Sequence, residues 1–296
     1  MLSHAQRNKR YKWEAGIDIG ASNFLGDLGG ANQIGTNGVK DLELSLTNFA
    51  LGAHVRYKKA RYIGYKAQFN WGKVSGDDKL TTEPYRNNRN INFVSNIFEF
   101  NTQLEFYITN ERGGHRYNYK KLKGWRHIDM QTYGFFGVGG FWYNPKAYYP
   151  PLKEWLALRD LRTEGQGIKP GRKMYSRVSV CIPIGIGFKY GINRQWSVGL
   201  EYGIRKTFTD YIDDTSTTYW DPGEIAAAQT DPFLQNAAAY FSNPTTGAIT
   251  AANNGGISPT GIGQQRGDST DNDAYMFAQV TVNYKIGKIR KTKSKF

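Results

Sequence analysis

This 296-residue sequence predicts an all-β protein: a single closed antiparallel transmembrane β-barrel of about eight strands, with short periplasmic turns and long extracellular loops. Three observations carry that prediction. Apolar residues recur at every second position in one segment after another, which is the period of a strand. The links between those segments alternate between short and long. The composition, with 34 Gly, 20 Tyr, 16 Phe and 7 Trp, is that of a polar, aromatic-rich and glycine-rich chain and not of a helical bundle. No stretch approaches the ~20 consecutive apolar residues that a spanning helix needs, so membrane residence would have to come from strands.

The first strand alternates Trp13, Ala15, Ile17, Ile19 and Ala21 with Glu14, Gly16, Asp18, Gly20 and Ser22. The second sets Phe49, Leu51, Ala53, Val55 and Tyr57 against Asn48, Gly52, His54 and Arg56; the third sets Ile63, Tyr65, Ala67, Phe69 and Trp71 against Gly64, Lys66, Gln68 and Asn70. Phe98, Phe100, Leu104, Phe106 and Ile108 mark the fourth. The fifth, "QTYGFFGVGGFWYNP", is extended but ambiguous in phase. The sixth runs from Met174 through Val178, Val180, Ile184 and Phe188 to Ile192, the seventh carries Trp196, Val198, Leu200, Tyr202 and Ile204, and the last Met276, Ala278, Val280, Val282, Tyr284 and Ile286. "YKKAR" and "INRQ" are short links. Those near residues 26–44, 73–92, 144–173 and 213–273 are long, and "NERGGHRYNYKKLKGWRH" is a long basic insertion on the short-link side. The longest link predicts a short helix in "EIAAAQTDPFLQNAAAYF" and a flexible run in "NPTTGAITAANNGGISPTGIG".

Alternation alone does not say which face is wet. In a soluble, lipocalin-like barrel the polar faces would sit in water, and nothing would be gained from their many glycines. With the apolar faces outward, a narrow lumen has to be filled by small residues and mutually paired charges. The second arrangement explains more, and it assigns Glu14, Asp18, Lys66, Glu99, Glu105, Lys189, Glu201 and Arg205 to a lumen charge network. Trp13, Tyr57, Trp71, Tyr190 and Trp196 then belong to interfacial girdles.

Little in the chain points to catalysis. The single Cys181 excludes an internal disulfide and reads as a small strand residue. The histidines His4, His54, His115 and His127 fall at the N-terminus or the short-link end, without a serine partner. Asp210, Asp213 and Asp214 read as solvated loop acids. "DSTDND" lacks the glycine and glutamate of an EF-hand loop, "TEGQGIKPG" lacks the Walker lysine, and "RGD" at Arg266–Asp268 is too short to imply adhesion. No catalytic residue, metal ligand, cofactor or small-molecule substrate is assigned.

The net charge of +14 is unevenly spread. Basic residues crowd the short-link end, where Arg56, Lys58, Lys59, Arg61, Lys120, Lys121, Lys123, Arg290, Lys291 and Lys293 form the candidate docking face; the longest link is acidic. Nucleic acid does not fit a secreted membrane protein. Physics alone allows either anionic lipid headgroups or an acidic periplasmic protein. By domain, residues 1–10 are an N-terminal segment whose Ser3-x-Ala5 spacing suggests the remnant of a signal peptide, 11–287 the barrel, and 288–296 a basic periplasmic tail.

Several runs carry a family likeness: "GASNFLGDLGG", "NPKA", "LRTEGQG", "PIGIGFKYGI" and above all "EYGIRKTFTDYIDDTSTTYWD". They resemble the PorG family of outer-membrane barrels from the type IX (Por) secretion system of Bacteroidota, from about Gly16 to the C-terminus. The most specific positions are Arg205, Lys206, Thr207, Phe208, Thr209, Asp210, Tyr211, Asp213 and Asp214. The resemblance implies a non-enzymatic outer-membrane part of a secretion machine, holding a periplasmic ring of a lipoprotein and its partner against the membrane without conducting cargo. The other readings are a paralogous barrel with an adhesive or envelope-integrity role and a lipid-modifying barrel enzyme.

Overall fold

The computed structural model describes residues 12–28, 46–109, 130–193 and 195–287. Eight long antiparallel strands close on themselves: β1 (Trp13–Leu25), β2 (Asn48–Lys58), β3 (Ile63–Asp77), β4 (Asn92–Tyr107), β5 (Met130–Tyr149), β7 (Val178–Gly191), β8 (Trp196–Thr207) and β9 (Ala274–Ile286). A ninth, β6 (Glu154–Ala157), pairs only with the upper end of β5 and lies outside the ring. Neighbours in sequence pair in space, β1 pairs with β9, and the β4–β5 ladder joins the two ends of the sheet. Closure leaves no free edge in the barrel wall, which is the condition for strands to sit in hydrocarbon.

The alternation has the predicted facing. Ile17, Phe49, Phe69, Phe100, Val138, Ile184, Leu200 and Val280 point out and are exposed, while the interleaved polar residues are buried. Such an apolar wall around a buried polar lumen is the surface of a transmembrane barrel of the outer-membrane type. Aromatic pairs mark its two borders. Trp13 meets Tyr57 at 4.7 Å and Trp196 meets Tyr284 at 5.0 Å near one end; Phe49 meets Trp71 at 6.4 Å and Phe98 meets Trp142 at 5.7 Å toward the other. Each is a cross-strand pair or its diagonal neighbour, as the register dictates. From Tyr57 to Phe49 the strand climbs about 27 Å at ~3.4 Å per residue, enough for the hydrocarbon layer once tilt is allowed for.

The structure fixes the phase of β5, which the sequence left open. Tyr133, Phe135, Phe141 and Tyr143 turn inward and Phe136, Val138 and Trp142 outward. Large rings fit a narrow lumen because the facing strands supply glycine. A Cβ at Gly187 would collide with the Tyr133 ring, and one at Gly185 or Gly203 with Phe135. The sixth predicted strand starts at Val178 and not at Met174, because Tyr175 leaves the wall to stack between Tyr143 and Tyr211.

Over the long-link end sits a folded cap. It contains α1 (Pro84–Arg89), α2 (Leu158–Leu161), α3 (Pro222–Ala227) and α4 (Pro232–Ser242). The single predicted helix is thus two, each begun by an Asp–Pro step in which Asp221 or Asp231 caps the first turn. The run expected to be flexible is hydrogen bonded instead: Asn88 accepts from Thr245, Thr246 and Ile249, and Asn243 donates to the Thr260 carbonyl. One apolar cluster joins cap to barrel, from Phe277, Phe141 and Phe93 in the upper lumen through Tyr149 and Ile212 to Ile225, Ala238 and Phe241.

Candidate functional site

The lower lumen is a closed ion-pair network. All eight residues assigned to it, Glu14, Asp18, Lys66, Glu99, Glu105, Lys189, Glu201 and Arg205, are buried. Its hub, however, is Arg56, which the sequence reading had placed on the periplasmic docking face. Arg56 is 1 % exposed and donates to Glu105 at 2.8 Å, Glu201 at 2.9 Å and Glu14 at 3.3 Å, with Asn283 and Tyr133 completing its shell. The reason is parity: Arg56 shares a face with His54 and alternates with Val55 and Tyr57, so the strand turns it inward. Around the hub, Lys189 bonds Glu14 at 2.8 Å, Lys66 and the Tyr133 hydroxyl bond Glu201, and Tyr107 donates to Glu105. Higher up, Glu99 accepts from Arg205, Asn70 and, at 2.6 Å, Tyr275. Lys285 lies opposite Glu14 in the β1–β9 register.

His54 has both ring nitrogens engaged, Nδ1 with Asp18 at 2.9 Å and Nε2 with the Asn283 side chain at 2.8 Å. Sequence reasoning missed Tyr107, Tyr133, Tyr275, Gln68, Gln103 and Asn283 as members. For Gln68 and Asn283 the signal was present, since both interleave with outward apolar residues.

At the short-link end, Lys58 sits over the Tyr107 ring at 4.3 Å, while Lys59 and Arg61 are exposed in the β2–β3 turn beside Tyr65 and Tyr62. The other proposed docking residues, Lys120, Lys121, Lys123, Arg290, Lys291 and Lys293, lie outside the described residues, as do residues 1–10 and 288–296.

The cap corrects a second expectation. Asp210, Asp213 and Asp214 are not solvated: Asp213 and Asp214 are completely buried and Asp210 nearly so. The "RKTFTDYIDD" run passes from wall to cap. Arg205 and Thr207 face the lumen, Lys206 and Phe208 face out, and the chain then turns inward under the cap with Asp214 at a φ of 64°. Asp214 accepts from Thr163 and from the Tyr175 hydroxyl at 2.7 Å. Glu164 of "LRTEGQG" accepts the amides of Ser216 and Thr217 and pairs with Arg266 at 3.1 Å. Arg266 is thereby buried as a strut of the cap, while Asp268 of the same "RGD" run stays exposed. Burial pushes the Asp210 carboxyl up to about 10 and the Asp214 carboxyl to about 6, Arg266 working against the latter. It lifts Asp213 and Asp273 well above the usual range, helped by the neighbouring charge of Asp27 in the first case and of Asp213 in the second. The end of "TEGQGIKPG", Lys169 to Gly171, forms with the following Arg172 and Lys173 and with Tyr211 and Thr217 a basic hollow of about 430 Å³.

A family model described as "Domain of unknown function (DUF6089)" matches residues 1–148, half of the chain. The chain belongs to this family. None of the curated proteins matches it. Among solved structures, this DUF6089 member is similar to Ail, the attachment invasion locus protein of Yersinia pestis, described in complex with the heparin analogue sucrose octasulfate; the two are 10 % identical, with a TM-score of 0.36 over 92 % of this chain and 98 % of Ail. It is also similar to the outer-membrane protein OprG from Pseudomonas aeruginosa, 11 % identical with a TM-score of 0.36 over 94 % and 98 % of the two chains. The strand pairing and the apolar wall described above establish the barrel without them.

Proposed function

We propose that this outer-membrane barrel is a non-enzymatic component of the type IX secretion system, anchoring a periplasmic lipoprotein ring and its partner to the membrane through its basic periplasmic end. The observation that carries the reading is the "RKTFTDYIDD" run and the motifs around it, which resemble the PorG family. Two features support it. The lumen is occupied by ion pairs and rings, which suits an anchor better than a conduit. Lys59 and Arg61 are exposed at the short-link end, next in space to the strand ends from which the basic 110–127 insertion and C-terminal tail depart. Opposed charge there would steer and orient an acidic partner, each exposed pair being worth only ~0.2–1 kcal/mol.

The test is affinity purification from native membranes after reversing Lys59, Arg61, Lys120, Lys121 and Lys123 to Glu together. The barrel should still fold, while periplasmic partners are lost in a salt-dependent way and secretion falls. Partners recovered at normal yield from the reversed protein would refute the anchor role. A paralogue with an adhesive or envelope-integrity role is the second reading, favoured by the size and order of the cap. It predicts instead that a cap deletion across Gly247–Gly263 removes the phenotype.

A further inference from the structure

The cations of the cap are not all paired. Arg159 and Arg177 share Asp160, and Arg266 takes Glu164, but Lys169, Arg172 and Lys173, which line the basic hollow, have no carboxylate within ion-pairing distance among the described residues. Local geometry puts them together. In Lys169-Pro170-Gly171-Arg172 the Arg172 N–H donates to the Lys169 carbonyl at 3.1 Å, with proline second and Gly171 third at a φ of 83°, the composition and hydrogen bond of a type II turn. Its two ends, Lys169 and Arg172, are therefore side by side, and Gly167 N–H, donating to the Arg172 carbonyl at 2.7 Å, closes the loop around the turn. The charged heads are fixed as well. Arg172 Nη1 donates to the carbonyls of Glu164 and, at 2.9 Å, Thr218, and Nη2 donates to the Thr218 hydroxyl at 2.9 Å. These acceptors are neutral, so the guanidinium is held in place with its charge intact and two of its five N–H groups unspent. Lys169 Nζ lies over the Trp220 ring at 4.8 Å, and that ring is tied by its own N–H to Glu224 at 2.8 Å. Tyr211, stacked on Tyr175 at 4.6 Å, and Thr217, whose hydroxyl is spent on the buried Glu164, complete the walls.

Like charges held side by side repel one another. An oxyanion removes that cost, and a guanidinium fork with ammonium groups beside it matches phosphate through charge-assisted hydrogen bonds. The place of the hollow narrows the source. Lys173 lies five residues before Val178, the first of β7, and Tyr211 four residues after Thr207, the last of β8, so the hollow stands at the outer rim of the wall. Val178 and Phe208, at those strand ends, point outward and are 60 % and 61 % exposed, so apolar surface reaches that rim. Lipid headgroups stand at this level, and the outer leaflet of such a membrane is built of phosphorylated glycolipid. We propose that Lys169, Arg172 and Lys173 form a phosphate site for a glycolipid headgroup of the outer leaflet, tying the cap to the membrane surface. The inference is independent of the secretion reading, because it concerns the opposite side of the membrane.

The full-length protein in detergent micelles is mixed with equal amounts of diphosphorylated lipid A and its dephosphorylated form. Native mass spectrometry counts the lipid retained, and hydrogen exchange of residues 165–173 reports whether the hollow is covered. The phosphorylated form should be retained in preference and should slow exchange in the loop. Lys169→Gln combined with Lys173→Gln, which leaves the bonds of Arg172 to the cap intact, should cut that preference about tenfold through the loss of two charge-assisted contacts, while the barrel keeps its heat-modifiable mobility. Equal retention of the two lipids by the unaltered chain, or a preference unchanged in the variant, would overturn the proposal. Inorganic phosphate that protects the loop in lipid-free micelles, with the two lipids retained alike, would reveal a site for a soluble oxyanion and overturn the glycolipid assignment.

Discussion

Inside the barrel the buried carboxylates Glu14, Glu99, Glu105 and Glu201 meet the buried cations Arg56, Lys66, Lys189 and Arg205, and Asp18 meets His54, whereas in the cap directly above, Asp213 and Asp273 are buried with no ion pair among the described residues. Both regions exclude water, and both are built from the same chain. The difference lies in what surrounds them. The lumen is walled by strands whose alternation delivers donors and acceptors at fixed heights, so a charge on one strand can be answered from any of the others. The cap is made of turns and short helices packed on an apolar cluster, and Asp213 and Asp273 are held there by backbone amides. Buried charge in the first region is part of the packing; in the second, burial pushes Asp210, Asp213 and Asp273 toward their neutral forms.

That contrast can be broken most severely at Arg56. Arg56→Ala would leave Glu14, Glu105 and Glu201 facing one another in a low-dielectric interior, and a loss of about 3–5 kcal/mol or more is expected. Urea unfolding in micelles, followed by the heat-modifiable shift, measures it. Next is Ile184→Lys, a charge on the lipid side of β7, expected to cost ~2–4 kcal/mol near the bilayer midplane and to lower the yield of assembled barrel. If that variant assembles as stably as the unaltered chain, the facing is wrong. In the cap, Glu164→Gln weakens the acceptor of two amides and of Arg266, and ~1–3 kcal/mol should be lost from cap protection in hydrogen exchange, with the barrel amides unchanged. Asp213→Asn sharpens the comparison by its sign: burial already favours the neutral form of the Asp213 carboxyl, so the amide should leave the cap as protected as before. The smallest effect belongs to Lys59→Glu, an exposed turn residue whose change should move barrel stability by no more than ~0.2–1 kcal/mol.

How far the sequence could be read follows the same division. Strands were legible because a two-residue period survives whatever the neighbouring strands contribute, and that period placed Ile184 outside and Glu201 inside. Arg56 was misplaced by reading its charge together with Lys58, Lys59 and Arg61 and ignoring its parity; the alternation already put it beside His54. The phase of β5 was not legible, because both faces carry aromatic rings, and the glycines that admit Tyr133 and Phe135 lie on β7 and β8, some fifty residues or more away. The acids of "TDYIDD" looked solvated because loop acids ordinarily are. What buries them is a lid assembled from residues 158–175 and 212–273, and no local pattern reports a contact across that distance. The two cap helices were legible in hindsight from their Asp–Pro starts.

The partners of Arg56 also bear on how the barrel forms. They come from β1, β4, β5, β8 and β9, with up to 227 residues between Arg56 and Asn283. An arginine on β2 whose shell draws on strands from the middle and from both ends of the chain is only partly answered in any half-built sheet. A sheet that enters the membrane before its last strand joins its first would carry open charge into hydrocarbon, and a register slip of two residues would shift every partner by one level. Pairing of β1 with β9 therefore does more than close the wall. It neutralises the interior in the same step, so that assembly is favoured to run as one cooperative closure and slow, long-range contacts decide its rate.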